Sequence, residues 1–98
     1  MSKTNVWGAA RTKSKQMELI VLTPEKEIYN GTISSVQLPG NDGKFEILTG
    51  HAPIVASLVK GTVRILPTSG EKKTFNIEKG FVEVLRDEVS LLVQGVEE

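Results

Sequence analysis

From Met17 onward the chain breaks into short runs rich in Val, Ile and Thr, separated by turn residues about every 8–12 positions. Glu18 to Thr23 reads as a first strand, ended by Pro24, which has no N–H for a ladder. Lys26 to Tyr29 follows and is broken by Asn30-Gly31, a strong hairpin signal. Thr32 to Leu38 stops at Pro39-Gly40. Lys44 to Leu48, Ala52 to Leu58 and Gly61 to Leu66 come next, the last closed by Pro67 and a turn at Thr68-Ser69-Gly70.

The final segments alternate most clearly. Phe75 and Ile77 share one face of Lys73 to Glu78. Val82 and Val84 oppose Phe81, Glu83 and Leu85 in Phe81 to Arg86. Val89, Leu91 and Val93 oppose Ser90, Leu92 and Gln94 in the last strand. Period-2 patterning predicts one buried and one solvated face. Lys79-Gly80 and Asp87-Glu88 are the expected turns. No long window has a 3.6-residue period, so no helix is expected. The prediction is an all-β domain of about nine to ten short antiparallel strands, as a small β-sandwich or flattened barrel. Some strands are apolar on both faces: Ile20 and Leu22 oppose Leu19 and Val21, and Leu85 and Leu92 fall on outer faces. Such positions mark either sheet edges or an outer patch that docks on a partner.

At 98 residues the chain suits one domain. It has no Cys and one His, which removes disulfide frameworks, thiolate metal sites and multi-imidazole zinc sites. No stretch approaches the ~18 apolar residues of a membrane helix, and Met1 to Gln16 lacks the apolar core of a signal peptide. The 12 basic and 12 acidic residues cancel, which gives no reason to expect a nucleic-acid partner. The balance is uneven, however. Residues 1–16 hold Lys3, Arg11, Lys13 and Lys15 and no acid, for +4, so residues 17–98 carry −4. Residues 1–16 read as a disordered leader or expression-derived extension, with Met17 as the natural start, 17–95 as the domain and 96–98 as a short tail. The alternative for the leader is a basic arm for nucleic acid or anionic lipid, for which four spaced charges and one Trp7 are a weak footprint.

Little catalytic chemistry is on offer. The loop Pro39-Gly40-Asn41-Asp42-Gly43-Lys44 fails as a phosphate loop: Leu38 stands where the first Gly is needed, Phe45 follows the Lys, and Asp42 repels phosphate. His51 is the sole candidate base by type, and no Ser sits in an elbow-like setting to serve it. The carboxylate pairs (Glu25 and Glu27, Asp87 and Glu88, Glu97 and Glu98) lie in turns or at the terminus. No cofactor signature is present. The residues alone point to a small binding domain rather than an enzyme. A protein- or glycan-binding sandwich is one form of this, and it needs an exposed platform made from Tyr29, Phe45, Phe75 or Phe81.

The stretch from Gly40 to Ile54, with Gly50-His51-Ala52-Pro53 at its centre, resembles the signature segment of the epsilon subunit of F-type ATP synthases, called delta in mitochondria. Thr23-Pro24-Glu25, Tyr29-Asn30-Gly31, Lys60-Gly61-Thr62-Val63-Arg64-Ile65 and Gly80-Phe81-Val82-Glu83-Val84 follow the family's order, so the resemblance covers residues 17–95. It departs at Thr49, where the family usually has Pro, at Glu46, where Gly is frequent, and at Lys44, where relatives are often acidic. The chain ends at Glu98, so it resembles the sandwich domain alone, either a naturally short epsilon or a truncation, and inhibition or ATP sensing by a two-helix C-terminal domain is not carried over.

The resemblance implies a non-catalytic rotor subunit without a cofactor, which clamps the gamma subunit to the c-ring so that ion-driven rotation reaches the catalytic head. It implies peripheral association with the cytoplasmic face of the bacterial plasma membrane, through the complex and without insertion. Asp42, Gly43 and Lys44 match the ring-facing turn. His51, Ala52, Pro53 and Ile54 match the gamma-facing segment, with the outer apolar positions covering gamma.

Overall fold

The structure is a computed structural model that describes residues 16–97. The expected leader therefore lies outside the described residues, except for Gln16. Eight strands are present among the described residues. They are β1 (Met17–Leu22), β2 (Glu27–Gly40), β3 (Gly43–Leu48), β4 (Ile54–Leu58), β5 (Gly61–Pro67), β6 (Lys73–Ile77), β7 (Lys79–Leu85) and β8 (Glu88–Gln94). The strand order is β1-β8-β7-β4-β2-β5-β6, with β3 on β2 and a further β1–β2 pairing. The all-β sandwich expectation holds.

The long β2 makes the two layers. Its first half pairs with β1, from Met17↔Ile33 to Leu22↔Glu27. Its second half lies between β3 and β5, with Val36 opposite both Ile47 and Ile65. The register shifts between Ile33 and Ser35, where the strand passes from one layer to the other. The single pair Gly40↔Leu58 ties β4 to β2 and closes the ring of strands.

The strand faces follow the sequence pattern. Val82, Val84, Val89, Leu91 and Val93 are buried on the inner face of the first layer, with Met17, Leu19 and Val21 beside them. Ile33, Val36, Leu38, Ile47, Leu58, Val63, Ile65, Phe75 and Ile77 complete the core. Each fully buried aliphatic side chain contributes about 1.5–3 kcal/mol through removal from water.

Several turns move. Asn30 and Gly31 do not form a hairpin; they sit in the β1–β2 ladder opposite Ile20 and Leu19. A type I′ hairpin needs positive φ at both central residues, and neither residue has it. The reversal comes earlier, at Thr23–Lys26. There the Thr23 hydroxyl accepts from the Glu25 and Lys26 N–H groups (3.2 and 3.0 Å), and the Thr23 N–H donates to the Lys26 carbonyl (2.8 Å). Pro24 pre-sets the backbone of that turn. Pro39-Gly40 likewise ends no strand early: β2 runs to Gly40, which pairs with Gly43 across a two-residue turn. Lys79-Gly80 is also strand, opposite Gln94 and Val93; the chain changes layer at Glu78 alone.

One pairing is parallel. β1 runs alongside β8 from Glu18↔Glu88 to Leu22↔Leu92, against an all-antiparallel expectation. Alternation tells which face of a strand is buried, but not which distant strand lies beside it or in which direction. After Gly95, Glu97 exchanges both backbone hydrogen bonds with Asn76 of β6 (2.9 Å each), and Val96 packs on the core.

Gly80 allows the close approach of β7 to β8. A Cβ there would lie 2.6 Å from the Leu92 carbonyl oxygen and 3.0 Å from Val93 Cγ1. Backbone cannot yield as a flexible side chain does. Gly80→Ala is expected to cost about 2 kcal/mol and to lower the thermal midpoint by roughly 10 °C, read by circular dichroism.

Burial raises the pKa of the Tyr29 phenol above 10.0, and the Glu18 carboxylate adds to the shift. Well below pH 10.0 Tyr29 is neutral in both folded and unfolded chains. Above it the unfolded chain ionises first, so this contribution to stability is lost as pH rises through the folded value. Denaturant unfolding on either side of pH 10.0 is expected to show that loss, and Tyr29→Phe to remove it. The chain has a single Tyr, so tyrosinate absorbance follows this group alone.

Candidate interaction surface

The outward residues of the first layer are aligned by register. Leu22, Leu92, Phe81 and Ser57 form one row across β1, β8, β7 and β4. Ile20, Ser90, Glu83 and Val55 form the next. Glu18, Glu88 and Leu85 form the third. Large apolar side chains lie open here: Phe81 is 56% exposed, Leu92 53%, Leu85 54% and Val55 74%. An open groove of about 560 Å³ runs along the first row, lined by Leu22, Thr23, Pro24, Phe81 and Leu92 among others. A stripe of this kind on one sheet face marks a docking surface rather than scattered exposure.

The expected site residues flank this face at its two ends. Asp42 and Gly43 lie at the β2–β3 turn with Lys44 beside it, all exposed, and the adjoining Gly40 pairs with Leu58, which in turn pairs with Gly80. His51, Ala52 and Pro53 form the β3–β4 connection at the other end, where Ile54 pairs with Val84. The two groups are separated by the length of β3, about 17 Å.

The His51 loop is tightly tied. Gly50 takes φ +86, a region closed to most side chains. The His51 N–H donates to the Leu48 carbonyl (3.0 Å), and Nδ1 lies 2.7 Å from the Ala52 carbonyl. A carbonyl only accepts, so Nδ1 supplies the hydrogen of this contact. Ala52 and Pro53 are exposed, whereas Ile54 is half-buried against the core. The outward residue of this segment is Val55. Sequence reasoning missed it because Ile54-Val55-Ala56 is apolar throughout, with no alternation to choose a face.

Phe81 was legible from its phase, opposite to Val82 and Val84. It is the one exposed ring among the four aromatics of the described residues. Phe75 is buried, and Tyr29 and Phe45 are half-buried against the core. Among the described residues no coplanar aromatic platform forms, which removes the support that Tyr29, Phe45, Phe75 and Phe81 would give a glycan-binding sandwich. On the opposite layer Leu48 and Leu66 flank the buried Ser35 in register. Among the described residues no three His, Cys, Asp or Glu side chains come together to hold a metal ion.

The comparisons with known proteins agree with this architecture. Residues 16–98 match the family model "ATP synthase, Delta/Epsilon chain, beta-sandwich domain". The chain is 39% identical over 85 residues to the ATP synthase epsilon chain of Chlorobium limicola, covering 87% of this chain and 97% of that protein. It is 42% identical over 78 residues to the epsilon chain of Leptospira borgpetersenii serovar Hardjo-bovis, covering 79% of this chain and 60% of that one. A chain of the Euglena gracilis mitochondrial ATP synthase, in a cryo-EM structure of OSCP, F1 and c-ring, superposes with a TM-score of 0.79 at 21% identity, covering 85% of this chain and 53% of that one. That likeness speaks for the fold; family membership rests on the model match and the closer sequence relatives. The chain belongs to the ATP synthase delta/epsilon family, and residues 16–98 are its beta-sandwich domain.

Proposed function

We propose that this domain is a non-catalytic component of the central stalk of an F-type ATP synthase, joining the gamma subunit to the c-ring. The observation that carries the reading is the aligned apolar stripe of Leu22, Leu92 and Phe81, with Val55 and Leu85 beside it, on the outer face of a domain from this family. A shaft that transmits torque needs a partner surface of standard size, roughly 1,200–2,000 Å², apolar at its centre and polar at its rim. The outer face of the first layer has that composition. Gamma covers this face and reaches the His51–Pro53 loop. The turn at Asp42, Gly43 and Lys44 meets the polar loops of the ring. The domain works on the cytoplasmic side of the membrane, held there by the complex.

The test is co-elution of the full chain with gamma purified from the same organism. A one-to-one complex is expected. Separate elution of two folded proteins would sink the reading and return a free-standing protein-binding module to first place.

A further inference from the structure

The acidic side chains of the outer face of the first layer gather at one end, where Val55 and Leu85 also lie open. That end, beside the His51 loop, carries Glu18, Glu83 and Glu88, with Asp87 in the adjoining turn, all exposed. Glu18 and Glu88 are direct partners in the parallel β1–β8 ladder. Like charges placed opposite each other in a sheet are destabilising. Thr32 donates to Glu18 Oε2 at 2.8 Å, which fixes the carboxylate without neutralising it. Glu83 pairs with Ser90, two residues along β8 from Glu88. Among the described residues Arg86, also exposed, is the one cation in the β7–β8 turn beside these carboxylates. About 13 Å from Glu88 along β8, the face becomes the apolar row of Leu22, Leu92 and Phe81, where Lys79 and Glu83 stand two residues to either side of Phe81 on β7.

We propose that the element docking here is apolar over the Phe81–Leu92 end and basic over the Glu18–Glu83–Glu88 end, so that the acidic rim fixes its direction along the face. The inference rests on the rotor reading, in which the occupant is a segment of gamma. It adds that segment's chemistry and orientation: its basic residues lie beside the His51 loop, and its apolar residues point toward the Asp42–Lys44 turn. Reversed docking would set the cations over the apolar row and leave four carboxylates desolvated with Arg86 as their one described cation. Charges at an interface rim act mainly on direction and encounter rate. An anionic lipid surface is disfavoured by the same carboxylates. The chain's own residues 1–15, which carry +4, are the competing occupant.

The experiment measures gamma binding to the full chain and to its Glu83→Lys/Glu88→Lys variant across a salt series. The variant is expected to bind about tenfold more weakly at low salt, and the difference to vanish near 1 M, where the Debye length is about 3 Å. Its thermal midpoint is expected to match or exceed that of the wild type, because the Glu18–Glu88 repulsion is removed. Equal affinity at low salt, or a loss that salt does not touch, overturns the inference while gamma binding by the wild type upholds the rotor reading. A wild-type chain that does not bind gamma overturns both. A charge effect that disappears when residues 1–15 are removed assigns the rim to that segment and overturns the inference as well.

Discussion

Replacing Leu91 with Ala is expected to destabilise the domain by about 3 kcal/mol, within the range for fully buried Leu truncations. Leu91 is fully buried in β8, with Val21 beside it on β1 and Val82 beside it on β7, both equally buried. The cavity opens where β1, β8 and β7 meet, so no loop can collapse into it. For a domain of this size the loss corresponds to a fall of roughly 15 °C in thermal midpoint. Val84→Ala, with less side chain to lose, is expected to cost about 2 kcal/mol. The control is one residue away: Leu92 is 53% exposed, and Leu92→Ala is expected to cost under about 0.5 kcal/mol. A larger loss at Leu92 than at Leu91 would place β8 one residue out of register, which exchanges its two faces.

That contrast shows what the chain's pattern reveals. Strands with one buried and one solvated face, β6, β7 and β8, carry their orientation in period-2 alternation. Strands apolar on both sides do not. Ile54 and Val55 are chemically alike, and only the ladder shows that Ile54 points inward beside Val84 while Val55 points out beside Glu83. Local turn chemistry misled where two signals competed. Asn30-Gly31 is the stronger hairpin dipeptide, but Thr23–Lys26 offers side-chain hydrogen bonds and a proline, and once the chain reverses there Asn30 and Gly31 fall into the ladder. The parallel contact of β1 with β8 joins residues some seventy positions apart, and no local signal specifies it.

The candidate surface was half legible. The segment from Gly40 to Ile54 carried the family, yet its two ends lie on different parts of the molecule. The continuous face between them is built from β1, β4, β7 and β8, which are adjacent in space and dispersed along the chain. Leu85 and Leu92 stood out from their phase. Their alignment with Phe81 and Leu22 into one surface depends on register, which alternation alone does not supply.

Phe81→Glu is expected to weaken gamma binding about a hundredfold, or roughly 2.8 kcal/mol, while leaving stability within about 0.5 kcal/mol. Its ring is more than half exposed, so the free domain loses little. In the complex it occupies the apolar row between Leu92 and Ser57, the setting in which a buried aromatic anchor carries binding energy. A carboxylate there must be desolvated without a cation to meet it. Lys44→Glu provides the comparison. Lys44 opposes Pro39 on β2 and shares the outward side of the second layer with Glu46, across the core from Phe81. It is therefore expected to leave gamma affinity within about twofold, and to weaken attachment of the gamma complex to the c-ring. Isothermal titration with gamma and pull-down on reconstituted ring separate the two effects. Equal damage to gamma binding from both substitutions would mean that one surface serves both partners, and a clamp that joins two bodies needs two.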